Sequence, residues 1–169
     1  MNVMTSAGPS TRSARLLHTE APGAVVLVRL YVGAVFASEG VLKFLRPDEL
    51  GAGRFDRAGI PLPGFFASLD GVLEIVCGVL ILLGLLTRLA AVPMVVDMLG
   101  ALALTKLPIL WGGSALFDGA RGWWDFTHAS RTDLAQLCGT LFLLLVGAGA
   151  WSLDARLTRH ARLEAATRP

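Results

Sequence analysis

The character of the chain is clearest in AVVLVRLYVGAVFASEGVLKFL, residues 24–45, an apolar run that is interrupted by Arg29, Glu39 and Lys43. A helix that rises about 1.5 Å per residue needs about 20 residues to cross about 30 Å of hydrocarbon. Three further apolar blocks have this length, at residues 65–86, 89–107 and 134–153. The sequence therefore predicts an all-α membrane protein, a bundle of four transmembrane helices.

The overall composition supports this class. Of the 169 residues, 54% are hydrophobic and 17% are charged, and the mean hydropathy is +0.61, which is too apolar for an ordinary soluble domain. The net charge of +2 comes from dispersed arginines without a basic cluster, so we expect no nucleic-acid partner. Cys77 and Cys138 both lie in apolar blocks, and we expect them to be packing residues and not metal ligands or a disulfide.

The chain divides into three segments. Residues 1–23 are polar and are expected to form a disordered tail, residues 24–157 the bundle, and residues 158–169 a basic tail. Counting Lys and Arg gives seven on the side of the two tails and six on the opposite side. The positive-inside rule then favours an orientation with both termini in the cytoplasm.

A longer, aromatic-rich loop is expected between the third and fourth helices, at residues 108–131. Its amphipathic aromatic side chains are of the kind favoured at the membrane surface. They are Trp111, Trp123, Trp124 and Phe126. Ser130 is expected to cap the fourth helix, with Asp133 three residues later completing a capping box.

Ionisable residues inside the apolar blocks form the candidate site. Alternating helix directions gather most of them in one half of the bundle, while Asp97 near the middle and Arg29 in the opposite half lie apart. Charges inside a bilayer are costly and mark functional sites by default, although they can also serve as interhelical pairs that fix the packing. The candidate proton-exchanging acids are Glu39, Glu74 and Asp97. The candidate ligand-binding residues are Lys43, Asp70, Lys106, His128, Arg131 and Asp133.

Several segments together carry a family resemblance. They are RLYVG at 29–33 with Glu39, Gly40 and Lys43, AGIPLP at 58–63, Glu74 with GVL at 78–80, LGLLTRLAA at 83–91, the segment 128–133, and GAGAWSLD at 147–154. Taken together, these segments resemble those of the DoxX family of small bacterial membrane proteins. The resemblance implies a four-helix bundle in a bacterial inner membrane, and some relatives are linked to quinone-dependent redox or sulfur metabolism. Many relatives place a histidine before the glycine where this chain has Ser38 and Glu39.

Three functions are compatible with these observations. The first is a quinone-associated subunit of a redox complex, in which buried acids exchange protons with the quinone and Lys43, Lys106 or Arg131 stabilises its reduced anion. Because the sequence has no flavin, haem or iron-sulfur signature, electrons would come from a soluble or membrane redox partner. The second is a non-catalytic scaffold that docks soluble oxidoreductases. The third is a proton-linked transporter of a small solute.

Overall fold

The structure is a computed structural model that describes residues 22–166. Within this part of the chain all regular structure is helical. The helices are α1 (Val25–Leu45), α2 (Ala52–Arg57), α3 (Pro63–Leu83), α4 (Thr87–Ala101), α5 (Trp123–Val146) and α6 (Leu153–Ala166). The predicted disordered tail falls almost entirely outside the described residues.

Four helical segments are long and apolar enough to cross a membrane, as predicted. In chain order they are α1, α3, the segment Thr87–Trp111 and α5. In the segment Thr87–Trp111, called the third span below, α4 continues through the π-helical turn Leu102–Lys106 and the 3-10 helix Leu107–Trp111. Large apolar side chains such as Leu27, Val96 and Leu145 are exposed on the outside of the bundle, where lipid would surround them. The prediction of a four-helix membrane bundle is therefore confirmed.

The four spans alternate in direction, which gives the bundle two different ends. At the loop end, α1 and the third span finish and α3 and α5 begin; the connections 46–62 and 112–122 lie there. At the tail end, α1 begins and α5 finishes, next to the short turn between α3 and α4. The short helix α2 belongs to the first connection, so it lies at the loop end.

Glycines bring α1 and α3 into close contact. Gly33 of α1 faces Gly78 of α3, and Gly40 faces Gly71, so each helix places two glycines seven residues apart on the shared face. A Cβ atom added at Gly40 would lie 2.6 Å from the carbonyl oxygen of Gly71. No side chain fits at that distance, and small residues of this kind are what allows membrane helices to approach closely.

The fourth span begins and ends earlier than its apolar block predicts. Helix α5 starts at Trp123, after Gly122 with φ 86°, and stops at Val146 before Gly147 with φ 90°. The capping box at Ser130 is wrong, because Ser130 lies within the helix and is fully buried. The backbone breaks at glycines, whose positive φ ends a helix, whereas the Ser130 pattern is only a local match in the middle of one.

The aromatic-rich loop is also not confirmed. Trp111 closes the third span, while Trp123, Trp124 and Phe126 belong to the first turn of α5. The helix runs through these residues because tryptophan and phenylalanine tolerate helical geometry and suit the membrane surface. The connection 112–122 is therefore shorter than the predicted one, and the aromatic side chains lie at helix ends.

Arg29 closes the tail end of the bundle. Its side chain is 3% exposed and donates hydrogen bonds to the carbonyl oxygens of Ile81 at 3.1 Å, Leu82 at 2.9 Å, Ala148 at 2.9 Å and Trp151 at 2.7 Å. These acceptors include two carbonyls in the last turn of α3, and that of Ile81 also accepts the backbone amide of Gly84 at 3.1 Å. Arg29 thus satisfies the end of α3 and ties α1 to the segment before α6, in the half of the bundle where the sequence placed it.

Asp154 supports the same end. Its carboxylate accepts the backbone amides of Leu86 at 2.8 Å and Thr87 at 3.1 Å, which are the first free donors of α4. A carboxylate at a helix start satisfies these amides and interacts favourably with the helix dipole. The start of α6 is therefore fixed onto the start of α4.

Candidate functional site

The loop end contains a cavity of about 570 Å³. All four spans contribute to its wall, and α2 with its flanking residues contributes Arg54, Phe55 and Ile60. Apolar side chains such as Phe36 and Leu73 form much of the lining, and acids and lysines make up most of its polar part. The cavity is of the size that ligand sites usually have, about 300–1,000 Å³.

Lys43 joins α1 to α3 inside this cavity. Its Nζ atom lies 2.8 Å from Oδ2 of Asp70 and forms a second ion pair and hydrogen bond with Oε2 of Glu74. Glu74 is only 3% exposed. The predicted gathering of Lys43, Asp70 and Glu74 is therefore present, with the lysine between two carboxylates of the facing helix.

Asp97 belongs to the same cluster, although the sequence analysis placed it apart. Oxygen atoms of Asp70, Glu74 and Asp97 all lie within 4.8 Å of one another. Glu74 lies nine residues before the end of α3 and Asp97 ten residues after the start of α4, so the antiparallel turn between them brings both to one level. The expectation that Asp97 lies apart is wrong, because it rested only on the position of each residue along its own helix. It did not include the antiparallel pairing of α3 with α4, which brings Asp97 next to Glu74.

The cluster has more carboxylates than cations. Asp70, Glu74 and Asp97 share one ammonium group, that of Lys43, and charges of like sign repel strongly where little water is present. The uptake of a proton by a carboxylate relieves this repulsion. Three such oxygens could also ligate one metal ion, but Lys43 already contacts two of the three residues. The arrangement is therefore better suited to proton exchange than to metal binding.

Lys106 forms a second charged pair in the cavity wall. Its Nζ atom lies 3.5 Å from Oδ2 of Asp133 on α5 and 4.2 Å from the centre of the Phe117 ring. Lys106 ends the π-helical turn, a distortion that re-aims the residues after it and often occurs at functional sites. The predicted ligand-binding residues Lys106 and Asp133 thus line the cavity together.

The remaining predicted residues are less central. Glu39 lines the cavity, but its side chain is exposed, which places it at the rim. His128 and Arg131 are exposed on α5, where Arg131 donates a hydrogen bond to the carbonyl oxygen of His128 at 2.5 Å. The structure does not bring these two residues into the cavity wall.

Gln136 and Arg54 line the cavity but were not among the predicted site residues. Gln136 is 2% exposed, and its Nε2 atom donates a hydrogen bond to the carbonyl oxygen of Val32 at 3.2 Å. It lies three residues after Asp133 on α5, a spacing that shares a helix face and could have indicated it. Arg54 reaches the cavity from α2, and no periodic signal in the connection could have indicated it.

Comparisons with known proteins identify one matching family model and several similar proteins. The family model described as DoxX matches residues 24–107. A protein of Mycobacterium tuberculosis that is named an uncharacterized membrane protein is 57% identical over 161 residues, which cover 95% of this chain and 96% of that protein. The Bacillus subtilis protein named "Putative oxidoreductase CatD" is 33% identical over 93 residues, covering 55% of this chain and 67% of that protein. No solved structure matches the chain.

A third relative extends the similarity to another bacterial group. An uncharacterized protein of Haemophilus influenzae is 34% identical over 135 residues, which cover 79% of this chain and 90% of that protein. The similarity to the mycobacterial protein includes the fourth span and the start of α6, which lie beyond the segment that the family model matches. Similarity therefore extends over the part of the chain that forms the bundle.

Proposed function

The chain belongs to the DoxX family of membrane proteins, and we propose that it is a quinone-binding subunit of a membrane redox complex. The observation that carries this proposal is the cavity, which combines an apolar lining with a buried cluster of acids. Glu74 lies eleven residues into α3, about 16 Å from the loop end, so the cluster is near the middle of the bilayer. A ligand with a polar head and a long apolar tail suits a site at this depth.

Each charged group has a role in this proposal. Asp70, Glu74 and Asp97 hold or release the protons that a quinone head exchanges when its redox state changes. Lys43 keeps two of these carboxylates in place and offers positive charge to an anionic ring oxygen. The apolar lining around Phe36 and Leu73 holds the start of the tail and excludes water.

The redox partner and the orientation are part of the proposal. Electrons reach the quinone from a partner protein, and the name of the Bacillus subtilis relative is consistent with a redox role. With both termini in the cytoplasm of a bacterial inner membrane, as the arginine count favours, the loop end and its cavity open on the opposite side of the membrane. Cysteines placed one at a time in the two tails would then be unreactive to an impermeant reagent added from outside.

Quinone titration of the full chain in lipid nanodiscs tests the proposal. We expect saturable binding of a short-tailed naphthoquinone, and Glu74→Gln weakens it at least tenfold, because a hydrogen bond to a charged group is worth about 1.5–3 kcal/mol. Glu49→Gln is the matched control, since the Glu49 side chain is 73% exposed in the connection after α1. The absence of saturable binding to the wild type would remove the proposal.

A non-catalytic scaffold is the second candidate. The pairs Lys43–Asp70 and Lys106–Asp133 each join two different spans, which is also what a purely structural role of the charges requires. In that case a soluble oxidoreductase would co-purify with the chain, and it would do so equally with Glu74→Gln. Transport of a small solute is less favoured, because Arg29 and Asp154 fill the tail end of the bundle.

A further inference from the structure

The last helix, α6, is held at its start and has little packing beyond it. The Ser152 hydroxyl accepts the backbone amide of Ala155 at 3.1 Å, and the backbone amide of Asp154 donates to the carbonyl oxygen of Gly84 at 2.9 Å. Beyond its start, α6 packs extensively against no other helix of the described residues. A helix of 14 residues is marginally stable by itself in water, because most helices in proteins are stabilised by the packing of one face. The outer turns of α6 therefore depend on a surface that the bundle does not provide.

The start of α6 lies at the boundary of the membrane. Helix α5 ends its span at Val146, and the third span begins at Thr87. The Asp154 carboxylate accepts the backbone amide of Thr87 at 3.1 Å, which places the first turn of α6 at the same level. Trp151, just before α6, is 72% exposed, and tryptophan is favoured where the hydrocarbon meets the lipid headgroups. The surface of the bilayer itself is thus next to α6.

The exposed face of α6 combines cations with leucines. Four exposed residues follow the spacing i, i+3, i+4 and i+7, which places them on one stripe of the helix. They are Arg156, Arg159, His160 and Leu163. Leu157 lies beside this stripe and is 51% exposed. Such a face suits the surface of a membrane, where leucines enter the edge of the acyl region and arginines reach the headgroups.

The charge that α6 exposes is positive. Residues 147–163 contain three arginines and one acid, Asp154, whose side chain is buried and occupied by backbone amides; the next acid along the chain is Glu164. Arg159 donates one hydrogen bond to the carbonyl oxygen of Ala150 at 3.3 Å, but a guanidinium group has five N–H donors. Arginine binds phosphate through paired N–H groups, so a phosphate-bearing lipid surface complements this face in both charge and geometry.

We propose that α6 lies along the membrane surface at the tail end and binds the headgroups of anionic phospholipids through Arg156 and Arg159. Leu157 and Leu163 enter the edge of the acyl region and hold the helix at this depth. The lipid site is at the opposite end of the bundle from the cavity. It therefore goes beyond the proposed function and does not depend on quinone binding.

Hydrogen exchange of the full chain in two kinds of nanodisc tests the proposal. One kind contains phosphatidylcholine alone, and the other contains phosphatidylcholine mixed with phosphatidylglycerol. We expect the amides of residues 156–163 to exchange about tenfold more slowly with phosphatidylglycerol, because the anionic surface opposes the local unfolding of α6. At high salt this protection should be lost, since exposed charges are then screened.

Two double variants show where the protection comes from. Arg156→Gln with Arg159→Gln should remove it, because no other described arginine lies on the exposed face of α6. Arg46→Gln with Arg121→Gln is the matched control, since it removes the same charge from exposed positions at the loop end, and it should leave the protection of α6 unchanged.

Three results would overturn the proposal. Equal exchange of α6 in the two nanodiscs, whether fast or slow, means that anionic lipid does not hold the helix. Loss of protection in the loop-end control means that the attraction is a general effect of net charge and not a site on α6. Protection that persists in the α6 variant means that the two arginines do not carry it. If the α6 variant does not insert, the wild type at low and high salt still decides, because protection that salt does not remove excludes binding through exposed arginines.

Discussion

Replacement of Lys43 by methionine tests the buried charge cluster directly. Methionine keeps an unbranched apolar side chain but removes the ammonium that lies 2.8 Å from Asp70 and also contacts Glu74. The variant therefore leaves three neighbouring carboxylates with no cation among them. Its effect on the free energy of unfolding depends on how far water in the cavity compensates for that loss.

The expected cost lies between two known limits. Removing one partner of a buried ion pair in a soluble protein costs about 3–5 kcal/mol. A single polar contact between membrane helices contributes about 0.6–2 kcal/mol. Lys43 makes two ion pairs, with partners whose side chains are 19% and 4% exposed, so we expect Lys43→Met to lower the free energy of unfolding by about 2–4 kcal/mol.

A double-mutant cycle isolates the pair itself. Glu74→Gln should cost less than Lys43→Met, because Lys43 keeps Asp70, and the double variant should recover about 1–2 kcal/mol of the summed single effects. Detergent-driven unfolding in mixed micelles, followed by circular dichroism, measures all four forms. Arg46→Gln is the control, since the Arg46–Glu49 pair is 3.8 Å apart and exposed, and it should change stability by less than about 0.5 kcal/mol. Additive single effects, or a Lys43→Met variant as stable as the control, would refute the geometry described for the cluster.

Three further substitutions probe the packing of the bundle. Gly40→Ala forces a methyl group against the backbone of α3 and should destabilise the bundle by about 1–3 kcal/mol in the same unfolding assay. Gly100→Ala is the control, because no atom lies within 4 Å of the added Cβ, and it should be neutral or slightly stabilising. Arg29→Gln removes most of the donors that reach four carbonyl oxygens at the tail end, so it should lower the free energy of unfolding by about 3–5 kcal/mol. The fraction of this variant that folds should bind its ligand with unchanged affinity, because Arg29 lies away from the cavity. Equal effects of the two glycine substitutions, or a stable Arg29→Gln protein, would contradict the packing described.

The number of spans could be predicted because it depends on local composition alone. A block of about 20 apolar residues forms a helix whose backbone hydrogen bonds are all internal, so it can be recognised without knowing which helices pack against it. The start of the fourth span could not be predicted in the same way. Ser130 and Asp133 match a capping pattern, yet the helix starts at Trp123, because the helix-breaking conformation is at Gly122 and hydropathy does not register it.

The site could be predicted in part. The spacing of Glu39 from Lys43 and of Asp70 from Glu74 indicates shared faces, and three of these four residues meet the cluster as expected. Asp97 enters the cluster through the rotation of α4 about its axis, which a single sequence does not give, whereas the spacing of Gln136 from Asp133 indicates that these two residues share a face of α5. The role of Arg29 depends on carbonyl groups 52 to 122 residues away, and no pattern near Arg29 indicates them.

The glycine contact between α1 and α3 has a consequence for how a ligand enters. Since the backbones of these two helices nearly touch, they form one stiff pair, and α4 packs in turn mainly against α5 as a second pair. Each interface between the two pairs is less extensive than the interface within either pair, so we expect the pairs to separate along this seam more readily than the helices of one pair separate from each other. A ligand with an apolar tail could then enter the cavity laterally from the lipid through this seam, without passing through water first.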